Sequence, residues 1–214
     1  MSNNGRFSDR TDAGERLAAE LVDRGVDADL VLAIPRGGLP LGRAVADALG
    51  APLDIVVASK IGAPGNPEYA IGAVASDGSA WVDDDAIDRL GVSDAYVERE
   101  RERETEAARE KASRYRGDRD ASDPTGKTVV VVDDGAATGS TALAAVRLVR
   151  TSGADRIVLA VPVAPPETVT DLEAVADAVV VLQTPSTFGA VGAFYDRFDQ
   201  VSDAEAMTYL DGGS

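Results

Sequence analysis

Residues 128–132, TVVVV, constrain the fold more than any other stretch of the chain. Threonine and valine are stiff at χ1 and favour extended backbone. A run without polar alternation suits a strand covered on both faces, which belongs in a parallel sheet with a helix layer on either side. Other short apolar runs agree: LVLAI at 30–34, DIVVAS at 54–59, RIVLAVPV at 156–163 and DAVVVL at 177–182.

Helical patterns separate these runs. RTDAGERLAAELVDRG, 10–25, places Leu17, Leu21 and Val22 on one face and stops at Gly25, and LPLGRAVADALG, 39–50, closes on Gly50. TGSTALAAVRLVRTSG, 138–153, begins with hydroxyls and ends at Gly153, and PPETVTDLEAVA, 165–176, has proline near its start. SDAEAMTYL, 202–210, opens on Ser202 with Glu205 three residues on, a capping box. The alternation predicts an α/β fold, an open parallel sheet of about five strands with helices on both faces.

Between the second and third runs the pattern changes. KIGAPGNPEYA, 60–70, reads as a loop, and AIGAVASDGSAWV, 70–82, as a hairpin turning at Asp77-Gly78. VSDAYVERERERETEAAREKASRYR, 92–116, has few apolar positions and many opposite charges four apart, and reads as a solvated helical spacer. ASDPTGK, 121–127, is a linker, and the sequence contains no internal repeat.

Composition removes whole classes of chemistry. Without cysteine there is no disulfide, thiol nucleophile or cysteine-bound zinc, and without histidine no Ser-His-Asp triad or histidine-bound metal. A metal would be a hard cation on oxygens, most simply Mg²⁺, and proton transfer falls to Asp, Glu, Lys, Tyr or water. The 214 residues, 44% hydrophobic, suit one globular domain. No apolar run is long enough to cross a bilayer, and MSNNGRFSDR lacks the core of a signal peptide, so a cytoplasmic protein is expected. Asp and Glu total 37 against 21 Lys and Arg, a net charge of −16 that should repel nucleic acids and anionic lipid. Lysine occurs only at Lys60, Lys111 and Lys127, and Asp dominates the acids, a bias resembling cytoplasmic proteins of hypersaline cells. At roughly 1 M salt the Debye length of about 3 Å would screen that charge.

Two carboxylates, Asp133 and Asp134, follow TVVVV directly, and then comes GAATGST, 135–141, with hydroxyls at Thr138, Ser140 and Thr141. In open parallel sheets ligands sit beyond the carboxyl ends of the strands. Small residues let backbone amides approach a ligand, and a helix N-terminus favours phosphate. Paired acids repel an anion on its own but suit a sugar diol or a magnesium ion beside it. The series therefore points to a phosphorylated sugar. Neither GxxxxGK[ST] nor the dinucleotide GxGxxG occurs here. The plainer alternative, a solvated strand end and helix cap, leaves the serial arrangement of strand, acids, small loop and hydroxyls unexplained.

VVVVDDGAATGST, 129–141, resembles the signature of the type I phosphoribosyltransferases, and AIPRGGLPLG, 33–42, resembles their pyrophosphate loop. The resemblance implies that the ligand is 5-phospho-α-D-ribosyl 1-pyrophosphate (PRPP) with Mg²⁺ as cofactor. Asp133 and Asp134 would hold the ribose hydroxyls and supply the metal-binding oxygens, while Ala137, Thr138, Gly139, Ser140 and Thr141 would wrap the 5′-phosphate. Arg36, Gly37 and Gly38, with Lys60 at the end of 54–59, would take the pyrophosphate, and Arg36, Lys60, Asp133 and Asp134 would be the catalytic set. A non-proline cis peptide at Pro35–Arg36 is also implied. Segment 61–82 resembles the family's flexible catalytic loop and hairpin, with Glu68 and Tyr69 as candidates there.

The same resemblance implies a single domain over 1–214: a core at about 26–60 and 127–182, a flexible loop and helical insertion at about 61–120, and a hood at about 1–25 and 183–214. Its partners would be PRPP and a small nitrogenous acceptor, without nucleic acid or membrane, in a homodimer. Phe188 and Tyr195, with Phe198, would stack a planar acceptor ring. Ala137 stands where hypoxanthine and guanine enzymes carry an acid, which weighs against those bases. The implied reaction is transfer of the phosphoribosyl group to a nitrogenous base with release of pyrophosphate. A PRPP-sensing regulator and a Mg²⁺-dependent PRPP hydrolase are the alternatives. The whole chain is most similar to phosphoribosyltransferases that have no assigned acceptor.

Overall fold

The computed structural model describes residues 5–117 and 119–212, apart from the Glu68 side chain. The chain begins with α1 (Arg10–Asp23), β1 (Leu30–Ala33), α2 (Gly38–Leu49) and β2 (Leu53–Ile55). Next come β3 (Ala58–Ala63), β4 (Asn66–Ala75), β5 (Ala80–Val82), α3 (Asp84–Leu90) and α4 (Asp94–Arg116). The second half runs β6 (Thr128–Val132), α5 (Ser140–Thr151), β7 (Arg156–Val163), α6 (Pro166–Glu173), β8 (Ala178–Gln183) and α7 (Asp203–Leu210).

The apolar runs form one parallel sheet in the order β2-β1-β6-β7-β8. Successive side chains point to opposite faces. Val31, Val130, Val132 and Val158 meet Leu17 and Leu21 of α1 and Leu41 and Val45 of α2. On the other face Leu32, Val129, Val131 and Leu159 meet Val146 and Val149 of α5 and Leu172 of α6. Val129 to Val132 are all 0% exposed. Full burial of such a side chain contributes roughly 1.5–3 kcal/mol, so this strand is a large contributor to the core. α1, expected in the hood, thus forms part of the helix layer on the main sheet. Residues 1–4 of that expected hood lie outside the described residues. The two outer segments meet: Phe7 N–H donates to Phe194 O at 2.8 Å, and Asp196 N–H to Phe7 O at 2.8 Å.

The middle of the chain departs from expectation. DIVVAS is not one strand: β2 stops at Ile55, and β3 starts a second, antiparallel sheet, β3-β4-β5. KIGAPGNPEYA is not a loop but β3, a turn at Gly65 (φ +76°) and the start of β4. Burial overrode the turn-forming composition here, because Ile61, Ala63, Ile71 and Val74 pack under Ala86 and Val92. Gly62 permits the pairing, since a Cβ there would lie 2.6 Å from Pro67 Cα. The hairpin at Asp77-Gly78 forms as expected between β4 and β5.

α4 is not a solvated spacer either. Ala108, Ala112 and Tyr115 make a narrow buried stripe against Ala33, Leu39, Ile55 and Val57, and against Ala206 and Leu210 of α7. Small alanines four apart leave almost no mark on hydropathy among so many charges. The C-terminal end is locked by a nearly buried ion pair, Arg116 Nε to Asp54 Oδ1 at 2.8 Å. Arg116 Nη2 also donates to Ile55 O at 2.7 Å, and Ser122 N–H to Asp54 Oδ2 at 2.7 Å. Among the described residues no helix is long and apolar enough to cross a membrane.

Candidate functional site

β1 and β6 are neighbours in register, Ala33 opposite Val132, so their following loops leave the sheet side by side. The strand order reverses at this pair: β1 leads through α2 to β2 on one side, and β6 through α5 to β7 on the other. Such a switch point opens a crevice at the carboxyl ends of the strands. Ile34 N–H donates to Val132 O at 2.8 Å, and the Pro35–Arg36 peptide is cis.

Glycine lets the two loops touch. A Cβ at Gly38 would stand 2.6 Å from Val132 O, and one at Gly37 would stand 2.0 Å from Asp134 Oδ2. Either methyl group would occupy the space between the first turn of α2 and the acid-bearing strand tip.

Asp133 and Asp134 are both partly buried. Asp133 Oδ1 accepts the Asp134 N–H at 2.8 Å. Burial first, and the neighbouring Asp134 charge second, push Asp133 well above the usual carboxylate range. Burial also raises Asp134, against the lowering pull of the Arg10 guanidinium. Arg10 Nε stands 2.8 Å from Asp134 Oδ2, with both side chains largely buried. Its Nη1 donates to Asp199 O at 2.6 Å, and its guanidinium lies 3.8 Å from the centre of the Phe198 ring. Tyr195 Oη donates to Asp134 O at 2.6 Å. Burial raises the Tyr195 hydroxyl, so it stays a proton donor.

The small loop 135–139 is pinned at its back and bare at its front. Ala136 N–H donates to Val163 O at 2.9 Å, and Thr168 Oγ1 to Ala137 O at 2.7 Å. Gly139 adopts φ +70° as the N-cap of α5 and offers no side chain to the first-turn amides. Apart from the Ser140 N–H, which donates to Thr138 Oγ1 at 3.5 Å, those amides remain able to receive an anion. Thr138 Oγ1 and Ser140 Oγ lie 2.6 Å apart beside them. A cavity of about 200 Å³ is lined by Asp133, Val191 and residues 135–142. The expected phosphate-binding positions, Ala137 to Thr141, therefore border one space together with Asp133.

Arg36 reaches α7, its Nη1 3.0 Å from Asp203 Oδ1. Asp203 also accepts from Tyr115 Oη at 3.3 Å and Arg114 Nη1 at 3.5 Å. Lys111, exposed on α4, is near enough to feel Arg36 and Asp133. Desolvation and the Arg36 charge lower its ammonium, and Asp133 draws it back up. Lys60 does not end a parallel strand: it lies within β3 opposite Ala73, in the second sheet.

The aromatic expectations divide. Tyr195 is 1% exposed. Its ring centre lies 5.3 Å from that of Phe7 and 4.9 Å from that of Phe198, so it packs in the core and buttresses Asp134 instead of offering an open face. Phe198 lies under Arg10. Phe188 is half-buried against Phe194, with ring centres 5.2 Å apart. Tyr69 is 41% exposed and its hydroxyl accepts from Arg89 Nη2 at 2.7 Å, whereas the Glu68 side chain lies outside the described residues. Sequence reasoning missed Arg10, Lys111 and Asp203, each a charged residue among many.

Among the described residues no group of three or more His, Cys, Asp or Glu side chains could hold a metal ion. The two carboxylates fit a hard cation only where ligand oxygens complete its shell.

The model of the phosphoribosyl transferase domain family matches residues 8–198. Putative phosphoribosyl transferase Rv0571c of Mycobacterium tuberculosis is 42% identical over 205 residues, which cover 96% of this chain and 46% of that protein. The chain spans about half the length of the curated relatives it matches. TT1426 from Thermus thermophilus has a solved structure that is 43% identical, with a TM-score of 0.90 over 98% of this chain and 100% of its own. AQ2163 protein from Aquifex aeolicus, 13% identical, superposes with a TM-score of 0.50 over 96% of this chain and 86% of its own, a likeness of fold alone.

Proposed function

The chain belongs to the phosphoribosyl transferase domain family, and on that premise we propose that it moves the phosphoribosyl group of PRPP to a nitrogenous acceptor and releases pyrophosphate. The observation that carries the reading is the juxtaposition at the β1–β6 tips. Asp133 lines one cavity with residues 135–142, and the Gly37–Gly38 turn closes on Val132 and Asp134 beside it. That arrangement supports a phosphorylated pentose with its diol on the acids, its 5′-phosphate on the small loop and its diphosphate on the Arg36–Gly38 loop.

In this reading Asp133 and Asp134 hold the ribose hydroxyls, residues 137–141 hold the 5′-phosphate, and Arg36, Gly37 and Gly38 hold the diphosphate. Lys60 approaches from the β3–β4 hairpin. Mg²⁺ on the diphosphate and the acids would supply charge neutralisation when bound. As the C1–O bond breaks, its electron pair leaves with pyrophosphate and C1 gains positive character. The acceptor nitrogen donates a pair to C1 and gives up its proton to water. Asp133 is charged only at a cost while the site is empty, because burial and Asp134 oppose ionisation. Positive charge at C1 favours that ionisation, so the acid stabilises the transition state more than the empty site. Arg10 and Tyr195 keep Asp134 in place meanwhile. The methyl side chain of Ala137 gives no acid to a purine, which disfavours hypoxanthine and guanine as acceptors.

PRPP mixed with the protein, Mg²⁺ and a panel of bases tests the reading through pyrophosphate release. Release that depends on one base is the expected result. Release without any base identifies a hydrolase, tight PRPP binding without turnover identifies a sensor, and absence of PRPP binding defeats the site assignment.

A further inference from the structure

We infer that Lys111, delivered by the charged helix α4, is a further diphosphate-binding residue, and that Asp203 is the positioning residue that keeps Arg36 beside it. The inference rests on the reading that the loop at Arg36 takes the diphosphate of PRPP.

α4 packs along β3, β4 and α7. Its buried residues Ala108, Ala112 and Tyr115 pack on Ala33 and Leu39, which bracket the Arg36 loop on either side. Lys111 stands one helical turn before Tyr115, and residues four apart share a helix face. Tyr115 Oη and Arg36 Nη1 meet on a single atom, Asp203 Oδ1, at 3.3 and 3.0 Å. Lys111, an exposed residue, therefore lies on the helix face of the Tyr115 that meets Arg36 at Asp203. Asp133 and Arg36 both act on the Lys111 ammonium, in agreement with that placement.

The charge balance of the corner is unusual for this chain. Arg36 and Arg114 face Asp203, and Lys111 feels Arg36 and Asp133, so three cations meet two carboxylates in a protein of net charge −16. Asp203 is the first residue of α7, whose start is fixed by the Ser202–Glu205 capping box. Its two oxygens already accept from Arg36, Arg114 and Tyr115. Asp203 thus orients cations without balancing them all. A polyanion bearing several oxygens suits the excess, and diphosphate is the part of PRPP that would lie next to Arg36.

Titration calorimetry on the whole protein with Mg²⁺, using PRPP, pyrophosphate and ribose 5-phosphate in turn, tests the assignment. Lys111→Met should weaken PRPP and pyrophosphate by about 10-fold or more, the loss of one charge-assisted contact. Ribose 5-phosphate should bind as before, the melting temperature should hold, and Lys111→Arg should recover most of the affinity. Asp203→Asn should give the same ligand pattern more weakly. Wild-type protein that binds PRPP beside a Lys111→Met protein that binds it equally well would overturn this inference and leave the functional reading standing. A uniform loss across all three ligands would make Lys111 a structural residue and overturn it too. Wild-type protein that binds no PRPP would remove the functional reading itself.

Discussion

Gly37→Ala separates binding from folding more cleanly than any change to a charged residue. Gly37 has φ −60° and ψ −34°, an ordinary helical conformation that alanine adopts freely. Through the unfolded state alone the substitution should stabilise by about 0.4–1 kcal/mol. The added Cβ, however, would stand 2.0 Å from Asp134 Oδ2 and 2.6 Å from its Cγ, where ordinary contact begins at 3.4 Å. The carboxylate must retreat by about 1.4 Å from its present position. Misplacement of a binding group by about 1 Å costs on the order of 10²-fold, near 2.7 kcal/mol. We expect PRPP affinity to fall by about that factor in calorimetry, with the melting temperature unchanged or slightly raised. Gly38→Ala is the contrasting control. Its Cβ would meet the Val132 carbonyl, part of the sheet, at 2.6 Å, so overpacking should cost about 1–3 kcal/mol of stability. Folded Gly37→Ala protein with PRPP affinity within about threefold of wild type would refute the placement of Asp134 in the site.

Asp133→Asn should raise the melting temperature at neutral pH while weakening PRPP binding. A carboxyl whose folded pKa is raised holds its proton more tightly when folded, so its contribution is favourable at low pH and declines as pH rises from the ordinary carboxylate range through the raised value. The variant should lose that part of the pH dependence, and a lower melting temperature at neutral pH would contradict the assignment. Asp54→Ala strands the nearly buried Arg116 charge and should cost about 3–5 kcal/mol in urea unfolding; a loss under about 1 kcal/mol would mean that the pair does not anchor α4. Arg36→Ala should weaken pyrophosphate binding much more than ribose 5-phosphate binding, and equal losses would take Arg36 out of the diphosphate subsite.

The parallel sheet was legible because its strands are β-branched or aliphatic runs with both faces buried, as in Val129 to Val132. The Ser202–Glu205 capping box and the Asp77-Gly78 hairpin were legible because their chemistry is local. The 133–141 segment could be singled out for the same reason. What brings it against Arg36–Gly38 is the pairing of β1 with β6, which no local pattern encodes. The second sheet was missed where Gly62, Pro64, Gly65 and Pro67 resemble loop residues, although Ile61, Ile71 and Val74 had a core to enter. The buried stripe of α4 was hidden by the smallness of Ala108 and Ala112. Arg10 pairs with Asp134 from 124 residues away, so nothing near either residue announces the contact. Tyr195 looked available because its neighbourhood is irregular, yet Phe7 and Phe198 cover it.

The fastenings of Asp134 set a timetable for the growing polypeptide. The sheet's last strand is complete at Gln183, but the hydroxyl and carbonyl that secure this acid and its arginine belong to Tyr195 and Asp199. A ribosome releases the means to bury the valines before it releases the means to hold the carboxylate still. Contacts that close such long loops form late, after the local ones have lowered their entropic cost. The securing of Asp134 and Arg10 therefore waits on residues translated after the sheet's last strand.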